Sequence, residues 1–219
     1  MADFIIDWER AARTGVSEAV MCSGKSPAQI AAIAAEAAKH GRRLLFTRLD
    51  EERFRLLEPA ARDAMAFDPL SRTAILGGSV ELRASGIGIV CAGTSDLPVA
   101  REAARTLEFN GLECALISDV GVAGLWRLTA RLEDIRAFSL VIAVAGMEGA
   151  LFSVVAGLVA APVIAVPTSV GYGAAEEGRT ALNSALASCA PGLVAVNIDN
   201  GFGAAAAAVK MLAARRGGA

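Results

Sequence analysis

From Gly86 onward the chain alternates short apolar runs with longer helix-like stretches, and this alternation leaves few architectures open. The runs at 87–92, 113–117, 140–145, 163–166 and 193–196 are the expected strands. Leu140 to Ala145, Leu-Val-Ile-Ala-Val-Ala, is apolar at every position. A strand of that kind is buried on both faces, which predicts a parallel sheet. Right-handed crossovers then place helices on both sides of it. The expected fold class is α/β, a doubly wound parallel sheet of flavodoxin-like type, over residues 81–219.

Residues 1–80 follow a different pattern and predict a small α+β domain. Ser26-Pro27 opens a long alanine-rich stretch that closes at Gly41. Ser26 suits the N-cap, Pro27 the first helical position, and Gly41 the left-handed stop. Glu18–Cys22 and Leu44–Thr47 read as flanking strands, Asp50 as the cap of a second short helix, and 64–76 as a hairpin around Asp68-Pro69. Gly77-Gly78-Ser79 starts the linker.

Several functional classes drop out. A net charge of -2 with no basic run gives no field for nucleic acid, and 5% aromatic residues offer few stacking platforms. The N-terminal ten residues show no basic segment followed by an apolar one, so no secretory signal is expected. The longest apolar run, Ala150 to Pro167, is interrupted by Gly157 and Pro162 and predicts helix, break, then buried strand rather than a membrane span. Four cysteines form no CxxC pair, and His40 is the only histidine, which disfavours a zinc cluster. A reduced, cytoplasmic chain is expected, with no nucleic-acid or membrane partner.

Ligands of such sheets bind beyond the carboxyl ends of the strands, near the point where strand order reverses. Each expected strand here runs into a turn rich in glycine or polar residues: 92–98, 119–124, 145–149, 167–173 and 197–203. In Gly93-Thr94-Ser95-Asp96, Thr94 or Ser95 could cap the following helix, and the same N–H groups could hold a phosphate. Asp96 would repel phosphate, so it is assigned to ribose hydroxyls or to local capping. Gly86-Ile-Gly88 precedes its strand, so the dinucleotide fingerprint is not met. Glu148, between a strand end and Gly149, is either a helix-start glutamate or an acid/base. Cys91 and Cys114, within strand runs, read as small buried hydrophobes, as does Cys22. Cys189 lies in a turn stiffened by Pro191 and Gly192, although the helix end before it disfavours a thiolate. His40 belongs at a solvated helix end. Trp126, Tyr172 and Phe202 fall in the ligand-edge turns, where they could stack on a ring or simply pack.

With those turns in view, the chain resembles the nickel-pincer cofactor biosynthesis LarB family, whose C-terminal domain is similar to aminoimidazole ribonucleotide carboxylase/mutase. The resemblance rests on Ala92-Gly-Thr-Ser-Asp-Leu-Pro-Val-Ala100, Asp119-Val-Gly-Val-Ala-Gly124 and Val144-Ala-Gly-Met-Glu-Gly-Ala-Leu151. It continues through Val166-Pro-Thr-Ser-Val-Gly-Tyr-Gly173, Ser188-Cys-Ala-Pro191 and Val196-Asn-Ile-Asp-Asn-Gly-Phe-Gly203, with Arg13-Thr-Gly-Val-Ser-Glu18 and Cys22-Ser-Gly-Lys-Ser-Pro27 in the first domain. Trp126 stands where that family commonly has a histidine, and Ala187 where it has an asparagine.

The resemblance implies carboxylation of the pyridinium ring of nicotinate adenine dinucleotide at C5, with CO2 or bicarbonate as co-substrate. It also implies hydrolysis of the phosphoanhydride, giving pyridinium-3,5-biscarboxylate mononucleotide and AMP. Cys189 would be the covalent nucleophile and Glu148 the proton acceptor. Gly93, Thr94, Ser95 and Asp96 would hold phosphate and ribose. Further substrate contacts are expected at Asp119, Gly121, Gly146 and Met147, and at Ser169, Gly171, Tyr172 and Asn200. A divalent cation such as Mg2+ would serve the hydrolytic step, with no organic cofactor, and a homo-oligomer, an octamer by analogy, is implied. The rivals are an aminoimidazole ribonucleotide mutase, which generally uses a histidine, and a nucleotide-binding module without turnover.

Overall fold

The structure is a computed structural model that describes residues 4–217; residues 1–3 and 218–219, which the expected domain limits include, lie outside the described residues. The first part runs α1 (Arg10–Thr14), β1 (Ala19–Met21), α2 (Pro27–Lys39), β2 (Leu44–Thr47), α3 (Glu51–Arg55), α4 (Pro59–Asp63), β3 (Met65–Asp68) and β4 (Thr73–Leu76). Its strands form one mixed sheet in the order β1-β2-β4-β3. Both ends of α2 form as the sequence predicts. The Ser26 hydroxyl accepts from Gln29 N and the Gln29 side chain accepts from Ser26 N, while Gly41 takes a left-handed φ of 58°. The Asp50 carboxylate caps α3, accepting from Arg53 N at 2.8 Å.

The second part runs β5 (Arg83–Cys91), α5 (Leu97–Phe109), β6 (Leu112–Ile117), α6 (Leu125–Ala130), α7 (Leu132–Arg136), β7 (Leu140–Ala145), α8 (Ala150–Leu158), β8 (Val163–Pro167), α9 (Arg179–Leu186), β9 (Leu193–Ala195) and α10 (Gly201–Gly217). Every pairing in this sheet is parallel, in the order β6-β5-β7-β8-β9. The fold class is therefore the expected one: an all-parallel α/β sheet preceded by a smaller mixed one. Alternate residues of each central strand serve opposite layers. Ile87, Ile89, Leu140, Ile142, Ile164 and Val166 pack with Ala100, Leu107 and Ala204 of α5 and α10. Val90, Val141, Ala143, Val163 and Ala165 pack with Leu128, Ile135, Phe152 and Ala181 of α6 to α9. Burial on both faces explains the continuous apolar runs. The 150–167 run divides into α8 and β8 as predicted, and among the described residues no helix is long and apolar enough to cross a membrane.

One boundary departs from the sequence reading. β5 begins at Arg83 rather than at residue 87, so Gly86 as well as Gly88 lies inside the strand. Register with β6 shifts between Ala84 and Ile87, where Gly86 has a φ of 71°. A Cβ on Gly88 would meet the Phe138 ring at 1.9 Å. Those glycines therefore serve a bulge and a close packing contact. Order reverses between β5 and β7, which places the topological switch point at the turns after those two strands.

Candidate functional site

A cavity of about 280 Å³ opens at that switch point. Ala92, Gly93, Ser95 and Asp96 follow β5; Ala145 ends β7, and Gly146, Met147 and Glu148 follow it; Asp119 and Gly121 follow β6, and Val170 follows β8. Larger hollows exist in the first domain, including an alanine-lined groove of about 650 Å³ between α2 and α4. That groove offers few groups for chemistry, so the smaller cavity is the candidate site.

Two glycines are required for its shape. A Cβ on Gly146 would meet the carbonyl oxygen of Val170 at 2.1 Å, and one on Gly121 would meet that of Ala92 at 2.9 Å. Adjacent strand-end turns here touch backbone to backbone, an approach only glycine allows. Met147 and Asp119 adopt left-handed φ values of 52° and 59° without being glycine. Strain of this kind concentrates at functional sites.

Asp96 forms the floor. Its carboxylate is 4% exposed and accepts from the Thr168 hydroxyl at 2.6 Å and from Gly93 N at 2.9 Å. Burial pushes its pKa up, while the Thr168 hydroxyl and the backbone of Gly93 and Gly146 oppose that shift. The expectation that Thr94 or Ser95 caps the helix is not met. Residues 94–96 form a single 3-10 turn without a side-chain cap from either, and it is the Asp96 carboxylate that satisfies a free backbone N–H. Removing this carboxylate gives a clean test of its role. Asp96→Ala is expected to weaken nucleotide affinity by about 1–3 kcal/mol by calorimetry, the cost of an unmet hydrogen-bond partner. Unchanged affinity with a lowered melting temperature would reduce Asp96 to a tie between Gly93 and Thr168.

The sequence reading missed the cation of this site. Arg127, on α6, lines the cavity and its guanidinium contacts Asp119 Oδ1 at 2.6 Å. Its place just after the 119–124 turn was the available signal. Arg127 can meet a phosphate that Asp119 alone would repel. Thr168, fully buried and bonded to Asp96, was likewise not singled out.

The remaining expected contacts divide. Gly93, Ser95, Asp96, Asp119, Gly121, Gly146, Met147 and Glu148 share the cavity, and Glu148 is exposed at its edge. Thr94, Ser169, Gly171, Tyr172 and Asn200 are outside its lining. Ser169 N donates to Asp199 Oδ1 at 2.8 Å. The Asn200 side-chain oxygen accepts from Gly203 N at 2.8 Å, the bond of a residue capping α10. Tyr172 is 77% and Trp126 73% exposed, whereas Phe202 packs against Leu45, Ile75 and Phe109.

Cys189 also stands outside this lining. Its neighbour Ser188 pairs its hydroxyl with that of Ser153 at 2.8 Å on α8, the helix whose first residues, Ala150 and Leu151, line the cavity. Three residues further on, Gly192 O accepts from Val163 N at the amino end of β8. The cysteine segment thus runs along the flank of α8. Cys189 itself is exposed, while burial pushes the Cys22 thiol up to about 12 and those of Cys91 and Cys114 up to about 11. His40 caps the end of α2, with its ring 2.9 Å from Glu36.

The carboxylates present do not fit a resident divalent cation. Asp96 is engaged by Thr168 and Gly93 and Asp119 by Arg127, and among the described residues no group of three or more His, Cys, Asp or Glu is placed to hold a metal. A cation suits this cavity only as a companion of a substrate's own phosphates.

Comparison with known proteins adds the following. Residues 3–77 match the LarB/PurE-like N-terminal domain, and residues 86–218 match the AIR carboxylase family. An uncharacterized protein of Methanocaldococcus jannaschii is 40% identical over 210 residues, covering 91% of this chain and 80% of that one. A crystal structure of a variant of Treponema denticola PurE2 aligns with a TM-score of 0.44 at 22% identity, covering 60% of this chain and 90% of that chain.

Proposed function

The chain belongs to the AIR carboxylase family, with a LarB/PurE-like domain ahead of the carboxylase-type domain, and from that premise we propose that it carboxylates the pyridinium ring of nicotinate adenine dinucleotide at C5 and hydrolyses its phosphoanhydride. The observation that carries this reading is the distribution of reactive groups. Burial pushes three thiols up, those of buried Cys22 and Cys91 and of half-buried Cys114, one thiol is exposed, and the candidate cavity contains a carboxylate at its edge but no histidine. A mutase relying on histidine would need His40, which is engaged with Glu36 on α2 of the first domain.

A pyridinium ring is electron-poor, while CO2 needs a carbon nucleophile. Addition of the Cys189 thiolate at C6 forms a C–S bond and moves the ring electrons onto nitrogen, leaving C5 enamine-like. C5 then attacks CO2 and forms the new C–C bond. Glu148 removes the proton from C5, and departure of the thiolate restores the aromatic cation, so electrons and atoms balance. This divides one hard step into easier ones. Asp96 would hold ribose hydroxyls and Arg127 a phosphate.

A cavity of about 280 Å³ is below the roughly 300–1,000 Å³ of typical ligand sites, so a dinucleotide would extend past it, towards exposed Trp126 and Tyr172. Because Cys189 lies outside the cavity of its own chain, the reading further holds that a homo-oligomer brings the cysteine of a neighbouring copy to it. That same position favours a second reading, a nucleotide-binding module without turnover. Incubation with nicotinate adenine dinucleotide and bicarbonate, with and without magnesium, separates the two by mass analysis. The expected result is the biscarboxylate mononucleotide and AMP; bound but unchanged substrate would favour the module.

A further inference from the structure

We infer that the first domain positions the nucleotide-binding edge of the second, and that Arg48 is the residue through which it does so. This rests on the nucleotide-binding reading above.

The two domains meet along α5, and polar ties are distributed along it. At the far end of that helix Arg43, just before β2, donates to Phe109 O at 2.9 Å and stacks over the Phe109 ring at 4.9 Å. Midway, Arg105 donates to Ala66 O at 2.7 Å and Arg101 to the Asp68 carboxylate at 2.9 Å. At the near end Arg48, just after β2, donates from Nη2 to Asp199 O at 2.8 Å. Of these ties, the one made by Arg48 reaches the carboxyl edge of the parallel sheet.

What Asp199 does there gives the contact its meaning. Asp199 N donates to Pro167 O at 2.8 Å, and its carboxylate accepts from Ser169 N at 2.8 Å. Both bonds clamp the strand end on either side of Thr168. Thr168 in turn holds the Asp96 carboxylate at 2.6 Å on the floor of the cavity. A path of hydrogen bonds, joined through the backbone of Pro167 and Ser169 on either side of Thr168, therefore runs from Arg48 through Asp199 to Thr168 and Asp96.

The backbone marks the same path. Arg48, Arg72 and Asp199 all adopt left-handed φ values, of 53°, 52° and 53°, that side chains with a Cβ rarely take. Leu49 N donates to Arg72 O at 2.8 Å, which binds the two arginine turns together. Both arginines line a small cleft with Asp199 and Glu102 of α5, a carboxylate only 6% exposed. Burial pushes Glu102 up, and the Phe202 N–H and the positive charge of Arg48 and Arg72 oppose that shift. Glu102 Oε2 accepts from Phe202 N at 3.3 Å at the start of α10, directly after the 197–200 turn. The arginine pair thus balances the charge of Glu102, and Arg48 alone also bonds the Asp199 carbonyl. A strained turn presenting Arg48 at this point is better explained by positioning than by docking, which Arg43 already provides.

The test compares two ties of the same interface. Calorimetry measures nicotinate adenine dinucleotide binding to Arg48→Ala, Arg48→Lys and Arg43→Ala, and hydrogen exchange reads the Ser169 amide in each without ligand. Arg48→Ala is expected to raise Kd by about 5- to 10-fold, the size of one ordinary net hydrogen bond, and to speed exchange at Ser169. Arg48→Lys, which keeps a cationic donor, should recover part of the affinity, while Arg43→Ala should bind as wild type does. Equal weakening by Arg43→Ala and Arg48→Ala would overturn the inference in favour of general domain docking. Wild-type affinity and exchange in Arg48→Ala would overturn it outright. Failure of the unmodified protein to bind the nucleotide counts instead against the proposed function, and exchange at Ser169 then still decides the structural link.

Discussion

Cys189→Ser is expected to lose product formation by at least about 1,000-fold, as removal of a covalent nucleophile does in other enzymes, while keeping its fold and its affinity for the nucleotide. Addition of sulfur to the ring destroys its aromaticity, so unmodified protein mixed with nicotinate adenine dinucleotide should develop a dihydropyridine absorbance band. The serine variant should show none. Cys91→Ser is the matched control, because Cys91 is fully buried in β5 and its thiol is pushed up to about 11; it should keep both band and product. The cavity offers no histidine to act as base for Cys189. On the proposed reading it is the bound pyridinium that supplies an opposite charge beside the sulfur, within the roughly 4–6 Å over which such a charge acts. Alkylation of Cys189 in the free protein at neutral pH should accordingly be slow. A fully active Cys189→Ser protein would end the covalent mechanism, and with it the assignment of a pyridinium substrate.

The parallel sheet was legible because its strands are buried on both faces. Leu140–Ala145 and Val163–Pro167 carry apolar side chains for both helical layers, so the pattern alone specifies their place. The helix from Pro27 to Lys39 was equally legible, since its capping chemistry is local. The start of β5 was not. Its first residues are exposed, and Gly86 and Gly88 answer to Ser139 and Phe138, some fifty residues away in the chain. The same limit governs the site. Glycine turns after parallel strands point to an edge, and that edge holds Asp96 and Glu148. The partners of those residues are set by tertiary contacts between turns, such as Thr168 with Asp96 and Arg127 with Asp119. No local spacing encodes such pairs. The N-cap bond of Asn200 to Gly203 is local, as an Asn just before a helix would suggest, but no local pattern shows that Cys189 falls outside the cavity.

Glu148→Gln is expected to bind the nucleotide normally and to turn over at least ~100-fold more slowly, the usual contribution of a positioned base. The amide keeps the size of the side chain but cannot take the C5 proton, so the adduct band should form and persist rather than decay. That outcome separates Glu148 from Cys189 in the reaction order, because the cysteine variant never forms the band. It also provides a test of assembly. The exposed apolar residues Leu125, Trp126, Tyr172 and Leu186 fall on the same part of the chain as the cavity and the cysteine segment. The proposed assembly buries them between copies and brings Cys189 of one copy to the cavity of the next. Light scattering should therefore give a mass several times the 22.4 kDa of one chain. When Glu148→Gln and Cys189→Ser chains are co-expressed, some sites draw an intact Glu148 from one copy and an intact Cys189 from another. Purified mixed assemblies should then recover about a quarter of the unmodified activity, as random pairing in a symmetric oligomer requires, although each variant alone is nearly inactive. If the mixed assemblies stay as inactive as their parents, both residues must act within one chain. The segment around Ser188 would then have to leave Ser153 and fold over the first turn of α8 to reach the ring.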